Sequence, residues 1–292
     1  KMTQNVLKGL VNHPNATGVH VLGLGCENNN ISVFKTVLGE VDENRVKFMS
    51  TQDFDDEIGE GLRLIGELAE YAKNQKREEC DVSELVVGLK CGGRDGFSGL
   101  TANPLIGRFS DKLISKGGST VLTEVPEMFG AETILMNRCV NEEVFDKTVS
   151  LINDFKDYFT SHNQVVYENP SPGNKKGGIT TLEDKSLGCV QKSGSADVED
   201  VIEIGGSVTR KGLNLLTGPG NDIVAVTNLT ASGCHLILFS TGRGTPVGAP
   251  VPTVKIATNT NLAKRKPHWI DFNAGEIING AKIGRASCRE RV

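Results

Sequence analysis

The sequence predicts an α/β protein in which a doubly wound, mostly parallel sheet over residues 1–165 precedes a second, smaller α/β unit over residues 166–283. Apolar, strand-like segments alternate with segments whose apolar residues recur at helical spacing. Several strand-like segments end in glycine-rich polar turns. The texture changes at the proline-containing stretch 169–174, so we place the boundary near residue 165.

The first half of the chain carries the clearest alternation. Strands are predicted at residues 18–25, 46–50, 84–89 and 120–125, and helices at residues 30–38, 55–73, 104–116, 127–138 and 142–161. In the segment 55–73, Ile58, Leu62, Ile65 and Leu68 share one helical face, and acidic residues in its first turn suit the helix dipole. Strands that alternate with helices imply parallel β-α-β units, and hence a Rossmann-like sheet.

The strands and the helix predicted in the second half of the chain are shorter. Strands are predicted at residues 214–216, 235–239, 254–257 and 269–272, and a helix at residues 222–232. We expect this unit to complete the active-site crevice. The final stretch 284–292 (GRASCRERV) lacks periodicity and resembles an adapter or vector scar, so we exclude it and its Cys288 from functional reasoning. With the start at Lys1, this stretch predicts a fragment truncated at both ends.

Composition excludes several classes of protein. The chain has 292 residues, with 32 Lys and Arg against 36 Asp and Glu, so a basic nucleic-acid surface is not expected. No apolar run reaches the ~20 residues of a membrane span. The seven cysteines are odd in number and form no C-x-x-C pair, which argues against zinc knuckles and disulfide frameworks. Without a signal peptide pattern, we expect a cytoplasmic protein.

Four strand-like segments run into polar turns that contain glycine or proline. These turns lie at residues 23–29, 90–96, 124–127 and 242–246. Glycine makes up 34 of the 292 residues, above the typical ~7%. In an open parallel sheet, ligands bind outside the carboxyl ends of the strands. We therefore expect these turns to line one crevice.

Cys26, Cys91 and Cys189 stand in glycine-containing segments, and each is interpreted equally well as a metal ligand or a small core residue. The other internal cysteines (Cys80, Cys139 and Cys234) are expected in the core. No histidine has a convincing catalytic setting, so acid and base chemistry would rest on lysine, glutamate or a metal-bound hydroxide. The half fingerprint Gly23-x-Gly25 has Asn28 at its third glycine position, which disfavours dinucleotide binding.

Cations and short polar side chains in the loops suit an anionic, polyhydroxylated ligand. Arg243 lies between two glycines, where its guanidinium would either clamp a carboxylate or brace a loop against a carbonyl. Lys255 projects from a predicted strand. The loop residues expected to contact the ligand are Asn103, Asn169, Ser171, Asn174 and Thr245, each of which would serve equally well as loop scaffolding.

Longer strings of the sequence resemble a known family. These are LGLGCENN, KCGGRDGFSGLTANPLIGRFSD, TVLTEVPEMFGAE, YENPSPGNKKGGITTLEDKSLGC, GLNLLTGPGND, LFSTGRGTP, PTVKIATNT and HWIDFNAG. They are similar to the catalytic region of the altronate dehydratase and galactarate dehydratase family over nearly the whole chain. The linking stretches resemble the altronate branch more closely.

The resemblance implies a hydro-lyase acting on a sugar acid. In the altronate branch the reaction converts D-altronate to 2-dehydro-3-deoxy-D-gluconate in hexuronate breakdown. The family's dependence on iron implies Fe²⁺ or an iron–sulfur cluster here, with manganese as an alternative. It also implies a further N-terminal domain in the same protein. The sequence leaves open whether the protein forms a homo-oligomer. Other branches act on galactarate or, as a subunit, on sulfolactate.

Dehydration next to a carboxylate predicts a role for each candidate residue. Iron held by Cys26, Cys91 and Cys189 would stabilise the enediolate. Lys90 would remove the C2 proton, with its pKa depressed by a nearby cation. Glu124 or Glu127 would serve as the acid or as a metal ligand, while Arg243 and Lys255 would hold the substrate carboxylate.

Three rival interpretations remain at this point. One is a galactarate or related aldarate dehydratase, or a sulfolactate sulfo-lyase subunit, all of which share the enolate step. A second is a nucleotide-binding Rossmann-like domain, which predicts a glycine at position 28 and an acid after the second strand, where residues 49–51 offer none. The third is a fragment that folds without turning over.

Overall fold

The computed structural model describes residues 1–280 and shows an α/β protein with two parallel sheets. The helices are α1 Met2–Val11, α2 Ile31–Leu38, α3 Glu57–Lys73, α4 Ala102–Ile114, α5 Glu132–Met136, α6 Glu142–Ser161, α7 Pro172–Lys176, α8 Leu182–Val190, α9 Asp222–Ala231 and α10 Thr260–Arg265. The strands are β1 Val19–Gly23, β2 Val46–Ser50, β3 Val86–Cys91, β4 Ser119–Leu122, β5 Val198–Ile202, β6 Gly212–Leu216, β7 Leu236–Thr241, β8 Thr253–Ala257 and β9 Phe272–Asn273. The predicted α/β class with a parallel sheet is confirmed.

The smaller sheet consists of β1 and β2, which pair in parallel register from Val19 opposite Val46 to Gly23 opposite Ser50. Its own small core contains Val11, Phe34 and Val46. Side chains of Asn30 and Asp56 cap the helices α2 and α3 by accepting backbone N–H groups of their first turns. This unit comes first in the chain, ahead of the large sheet.

The larger sheet has seven parallel strands in the order β5-β6-β4-β3-β7-β8-β9. Because side chains alternate across a strand, neighbouring residues enter different cores. Leu122 and Leu238 belong to the core that contains α4 and α6 residues, whereas Val121 and Ile237 belong to the core with α9. Near-continuous apolar strands are expected when both faces of a parallel sheet are covered.

The chain reverses its direction across the sheet beside β3. From β3 it moves to β4 on one side, and after β6 it returns to β7 on the other side of β3. The loops after β3 and β7 therefore diverge at a topological switch point, where open α/β sheets bind ligands. In this chain they also touch, since the backbone N–H groups of Gly242 and Arg243 donate to Gly93 O at 3.0 and 2.8 Å.

Strand pairing does not divide at residue 165. The strands β3 and β4 precede that position and β5 to β9 follow it, yet all seven share one sheet. The reason is that β3 and β4 need β7 and β6 as neighbours to satisfy their edges. The sequence did not predict β5, α7, α8 or α10, while β2 and α6 have the predicted bounds. The proposed tail 284–292 lies outside the described residues.

Within residues 1–280, no helix has both the length and the apolar character needed to cross a membrane.

We predict opposite effects for two helical glycines. A Cβ at Gly107 of α4 would lie 2.2 Å from Gln191 O, so Gly107→Ala should lower the free energy of unfolding by about 1–3 kcal/mol. Gly66 in α3 has no atom within 4 Å of such a Cβ, so Gly66→Ala should raise it by about 0.5–1 kcal/mol. Urea denaturation of both variants measures these changes; equal effects would contradict the packing of α4 on the turn after α8.

Candidate active site

Glu124 lies two residues beyond β4 in a left-handed backbone conformation, with φ 71° and ψ 57°. For a residue with a side chain this conformation is unfavourable by about 1–3 kcal/mol, and such strain clusters at functional sites. The next residue is fixed by the bond from Val125 N–H to Gly218 O at 3.0 Å, and Pro126 continues into a short 3-10 turn. The backbone therefore directs the Glu124 carboxylate into the interior.

The Glu124 carboxylate is held between two buried ammonium groups. Lys90 Nζ lies 2.5 Å from Oε1 and Lys192 Nζ lies 2.7 Å from Oε2, while the Cys91 N–H donates to Oε2 at 3.1 Å. The three charged side chains are at most 1% exposed. Burial by itself would raise the pKa of Glu124, but the charges of Lys192 and Lys90 lower it to about 2. The group is therefore a carboxylate at neutral pH.

Lys90 is surrounded by acceptors. Besides Glu124, its Nζ donates to Asp222 Oδ1 at 2.8 Å, to Cys91 O at 2.7 Å and to Gly220 O at 3.2 Å. Burial opposes the charged form, but the negative charges of Glu124, Cys91 and Asp222 raise the pKa of Lys90. The predicted base with a pKa depressed by a neighbouring cation is thus corrected: its neighbours are carboxylates, and they keep it protonated.

Cys91 and Cys189 meet on the other side of Glu124, with their sulfurs 3.9 Å apart. Lys192 Nζ donates to Cys91 Sγ at 2.9 Å and to Cys189 Sγ at 3.2 Å. Burial would raise the pKa of Cys91, but the hydrogen bond from Cys189 and the charge of Lys192 lower it to about 6. The hydrogen bond to Cys91 and burial raise the pKa of Cys189. The pair is therefore one thiolate and one thiol.

Cys26 does not join this pair. It follows β1 in the separate two-stranded sheet, is exposed, and its sulfur accepts from Gln52 Nε2 at 3.7 Å. Among the described residues, the His, Cys, Asp and Glu side chains close enough to share an ion are Cys91, Glu124 and Cys189. The expected convergence of three thiol-bearing turns is corrected accordingly, because the first turn belongs to the other sheet.

Cys91, Glu124 and Cys189 leave no room for a metal ion while the Lys192 ammonium lies between them. Metal–sulfur and metal–oxygen bonds are ~2.3 Å and ~2.0–2.2 Å long. An ion at those distances from Cys91, Cys189 and Glu124 would need the space that the Lys192 ammonium takes, at 2.9, 3.2 and 2.7 Å from the same three atoms. The Lys192 ammonium therefore occupies the position that a metal ion would need.

A second charged layer surrounds Arg94, which is 3% exposed. Its Nη2 donates to Lys185 O at 2.6 Å, and its Nη1 lies 3.5 Å from Glu127 Oε2. Lys185 Nζ lies 3.0 Å from Glu127 Oε1 and donates to Asn169 Oδ1 at 2.6 Å. Within the described residues, Arg94 Nε and Nη1, Glu127 Oε2 and Ser186 Oγ have no hydrogen-bond partner. Spare donors and acceptors of this kind suit a polar ligand.

Most of the loop residues predicted to bind substrate are used inside the protein. Asn103 donates to Gly188 O, and its Oδ1 accepts from Ser240 Oγ at 2.6 Å. Ser171 and Asn174 form the capping box of α7, and Asn174 Nδ2 also donates to Arg94 O. The Thr245 hydroxyl accepts from Val247 N–H. These side chains hold the loops that surround the charged group.

Arg243 and Lys255 differ in their surroundings. Arg243 Nη1 donates to Gly173 O at 2.7 Å, so it braces the loop that carries α7, the second of its two predicted interpretations. Lys255 Nζ donates to Thr245 O at 2.8 Å and lies 4.4 Å from the centre of the Phe239 ring. Burial lowers the pKa of Lys255. Among the described residues, no carboxylate lies within 4 Å of this amine.

The sequence did not single out Lys192, Arg94, Lys185 or Asp222 as site residues. One signal was present: Cys189 and Lys192 are three residues apart, which places both side chains on one face of a helical turn. A second signal was Asp222, the first residue of α9, which follows a glycine-proline-glycine turn and the helix-capping Asn221. Neither shows which distant residues these side chains meet.

Comparisons with known proteins define the class. Residues 82–290 match the family model "D-galactarate/Altronate dehydratase, C-terminal", and residues 1–73 match "D-galactarate dehydratase/Altronate hydrolase, second domain". The chain belongs to the D-galactarate/altronate dehydratase family. Residues 74–81 separate the two matched regions, of which the first contains the two-stranded sheet and the second the seven-stranded sheet.

Within this family, the chain is more similar to altronate dehydratases than to a galactarate dehydratase. The chain is 63% identical to the altronate dehydratase of Bacillus subtilis over 273 residues, which cover 94% of this chain and 55% of that protein. It is 59% identical to the altronate dehydratase of Escherichia coli over 278 residues, covering 95% and 56%. Identity to the Escherichia coli galactarate dehydratase (L-threo-forming) is 39%, covering 92% and 53%. The chain thus spans about half the length of these relatives.

We predict that Glu124→Gln destabilises the protein at pH 7 by about 3–5 kcal/mol, because Lys90 and Lys192 would lose their shared counter-charge. The native pKa of about 2 lies below the ordinary ~4.3, so this contribution is present above pH ~4.3 and is lost as pH falls toward 2. Urea denaturation at several pH values measures this effect. The difference in the free energy of unfolding between wild type and variant should decrease as the pH falls from ~4.3 toward 2.

The matched control is Glu40→Gln, since Glu40 is an exposed glutamate. Its effect should stay within ~0.5 kcal/mol at neutral pH. A Glu124 variant as stable as this control would contradict the buried network.

Proposed function

We propose that the protein that carries this chain is a hydro-lyase that converts D-altronate to 2-dehydro-3-deoxy-D-gluconate. The observation that carries the proposal is the 59–63% identity to altronate dehydratases across a region that contains the buried charged group. Identity to the galactarate enzyme is 39%, which favours altronate over galactarate as the substrate. The switch-point location of the group is the expected place for a ligand in such a sheet.

Charge stabilisation is the main requirement of this reaction. Removing the proton from C2 of a sugar acid leaves an enediolate, whose negative charge must be held. Lys90, Lys192 and Arg94 supply three cations, each at most 3% exposed, near the C-terminal ends of β3 and α8. Lys185, within α8, supplies a fourth that is 7% exposed. Fixed charges in a site that excludes water need no reorganisation during the reaction, and removal of one such donor typically reduces kcat by about 10²–10³.

Proton transfer would fall on the two carboxylates of the network that reach solvent. The Asp222 side chain is 28% exposed and the Glu127 side chain is 12% exposed. Gly220 separates them: its carbonyl accepts from Lys90, and a Cβ on it would lie 3.3 Å from Glu127 Oε1. We assign Asp222 as the acceptor of the C2 proton. The Glu127–Lys185 pair would donate the proton that leaves with the C3 hydroxyl.

Lys255 would hold the substrate carboxylate beside these groups. Lys255 Nζ and Lys90 Nζ lie 4.4 and 5.6 Å from the centre of the same Phe239 ring, so the amine is close to the network without being paired in it. A spare cation at this position suits the anionic end of a sugar acid. The expected iron or manganese stays a prediction, and the roles assigned here rest on the residues of this chain.

Cytoplasmic location, homo-oligomer formation and an additional N-terminal domain are further proposals drawn from the sequence. The six cysteines within residues 1–280 are all free, and two of them belong to the buried charged group, which suits a reducing compartment.

We predict that Asp222→Asn reduces kcat by about 10²–10⁴ with little change in KM, since the amide keeps the contact to Lys90 but accepts no proton. The assay uses the Bacillus subtilis enzyme with its matching 273 residues replaced by those of this chain, and follows 2-keto acid formation. Asp154→Asn changes an exposed aspartate of α6 and should keep full turnover. Equal kcat values for the two variants would show that Asp222 is not the base.

The same chimaera tests the substrate. With D-altronate, galactarate and sulfolactate offered at equal concentration, kcat/KM should be highest for D-altronate. Altronate and galactarate both lose water. A higher kcat/KM for galactarate would therefore show that galactarate is the substrate and that the protein is still a hydro-lyase.

A further inference from the structure

The Lys192 ammonium lies at the meeting point of the strongest metal-ligand candidates in the described chain. We propose that Lys192 is the resident cation of the Cys91–Glu124–Cys189 group, and that this group excludes divalent metal ions as long as Lys192 is in place. This inference concerns the group itself and is independent of the proposed function.

Lys192 uses all of its hydrogen-bond donors within this group. A lysine ammonium has three N–H donors. Lys192 directs them to Cys91 Sγ at 2.9 Å, to Cys189 Sγ at 3.2 Å and to Glu124 Oε2 at 2.7 Å. All three partners are the atoms a metal would bind. The ammonium is therefore fully satisfied by the same ligand set, with no donor left over.

The spacing of the two sulfurs would by itself suit a metal ion. A tetrahedral ion ~2.3 Å from two sulfurs separates them by about 3.8 Å, and the Cys91 and Cys189 sulfurs are 3.9 Å apart. Sulfur spacing is thus no obstacle to metal binding. The obstacle is the nitrogen between the ligands.

A metal ion would also add positive charge to a group that already holds two cations. The buried ammonium groups of Lys90 and Lys192 both lie against the Glu124 carboxylate, at 2.5 and 2.7 Å. Arg94 adds a further cation nearby that is 3% exposed. A divalent ion placed among them would leave an excess of positive charge in a region without water, which is strongly unfavourable.

Neighbouring residues hold the backbone of Lys192 in place. It belongs to the 3-10 turn Gln191–Ser193, which follows α8 directly. Arg138 holds this turn, since its Nη2 donates to Ser193 Oγ at 2.7 Å and its Nη1 donates to Gly194 O. The turn also packs against α4, where a Cβ at Gly107 would meet Gln191 O. The Lys192 side chain is completely buried.

Cobalt binding tests the proposal, because thiolate ligation of Co²⁺ gives a sulfur-to-metal charge-transfer band. The purified chain is titrated anaerobically with CoCl₂, in parallel with its Cys91→Ser/Cys189→Ser variant, so that exposed Cys26 and Cys80 cancel in the difference. The difference band should be absent from the wild type. A stoichiometric band that depends on Cys91 and Cys189 in the wild type would overturn the proposal.

Lys192→Met removes the ammonium while keeping a long side chain. It should bind Co²⁺ at least tenfold more tightly than the wild type and show the band, which Cys91→Ser in the same background should abolish. Lys116→Met, at an exposed lysine, should behave as the wild type does. A folded Lys192→Met protein without the band would show that Lys192 is not what excludes the metal. Circular dichroism shows whether this variant is folded. If it is unfolded, the comparison of the wild type with Cys91→Ser/Cys189→Ser still tests the proposal.

Discussion

One buried carboxylate organises this protein. Glu124 is charged inside a region that is almost free of solvent, and a carboxylate there is tolerable only when it is paired and hydrogen-bonded. Its two oxygens draw Lys90 from β3 and Lys192 from the turn after α8, and the Cys91 N–H completes the set. Three segments that are far apart in the chain are thereby fixed to one another.

The two faces of the sheet meet at this carboxylate. Lys90 and Cys91 are neighbours in β3, so their side chains point to opposite faces. The Lys90 side reaches Asp222 at the start of α9, whereas the Cys91 side reaches Cys189 near the end of α8. Glu124, strained into a left-handed conformation just past β4, contacts both. One side chain therefore links the charged groups on both faces of the sheet.

The predictions that failed did so at contacts between distant residues. Lys90 and Glu124 were recognised as important because they close apolar strands, but the pKa direction of Lys90 depends on Glu124 and Asp222, which lie 34 and 132 positions away. Cys26 has the same glycine-rich setting as Cys91 and yet belongs to another sheet. Local sequence gives the kind of turn, and strand pairing decides which turns meet.

The amino-acid sequence by itself determined the α/β class, most strands and helices, the glycine-rich turns at strand ends and the family, because apolar periodicity and turn residues act over a few positions. Only the tertiary structure decided the strand order, the separation of Cys26 from Cys91 and Cys189, and the placement of Lys192 among the candidate ligands. The physical reason is that charge pairing in a solvent-free interior depends on distances of 2.5–3.2 Å between side chains that the linear sequence does not bring together.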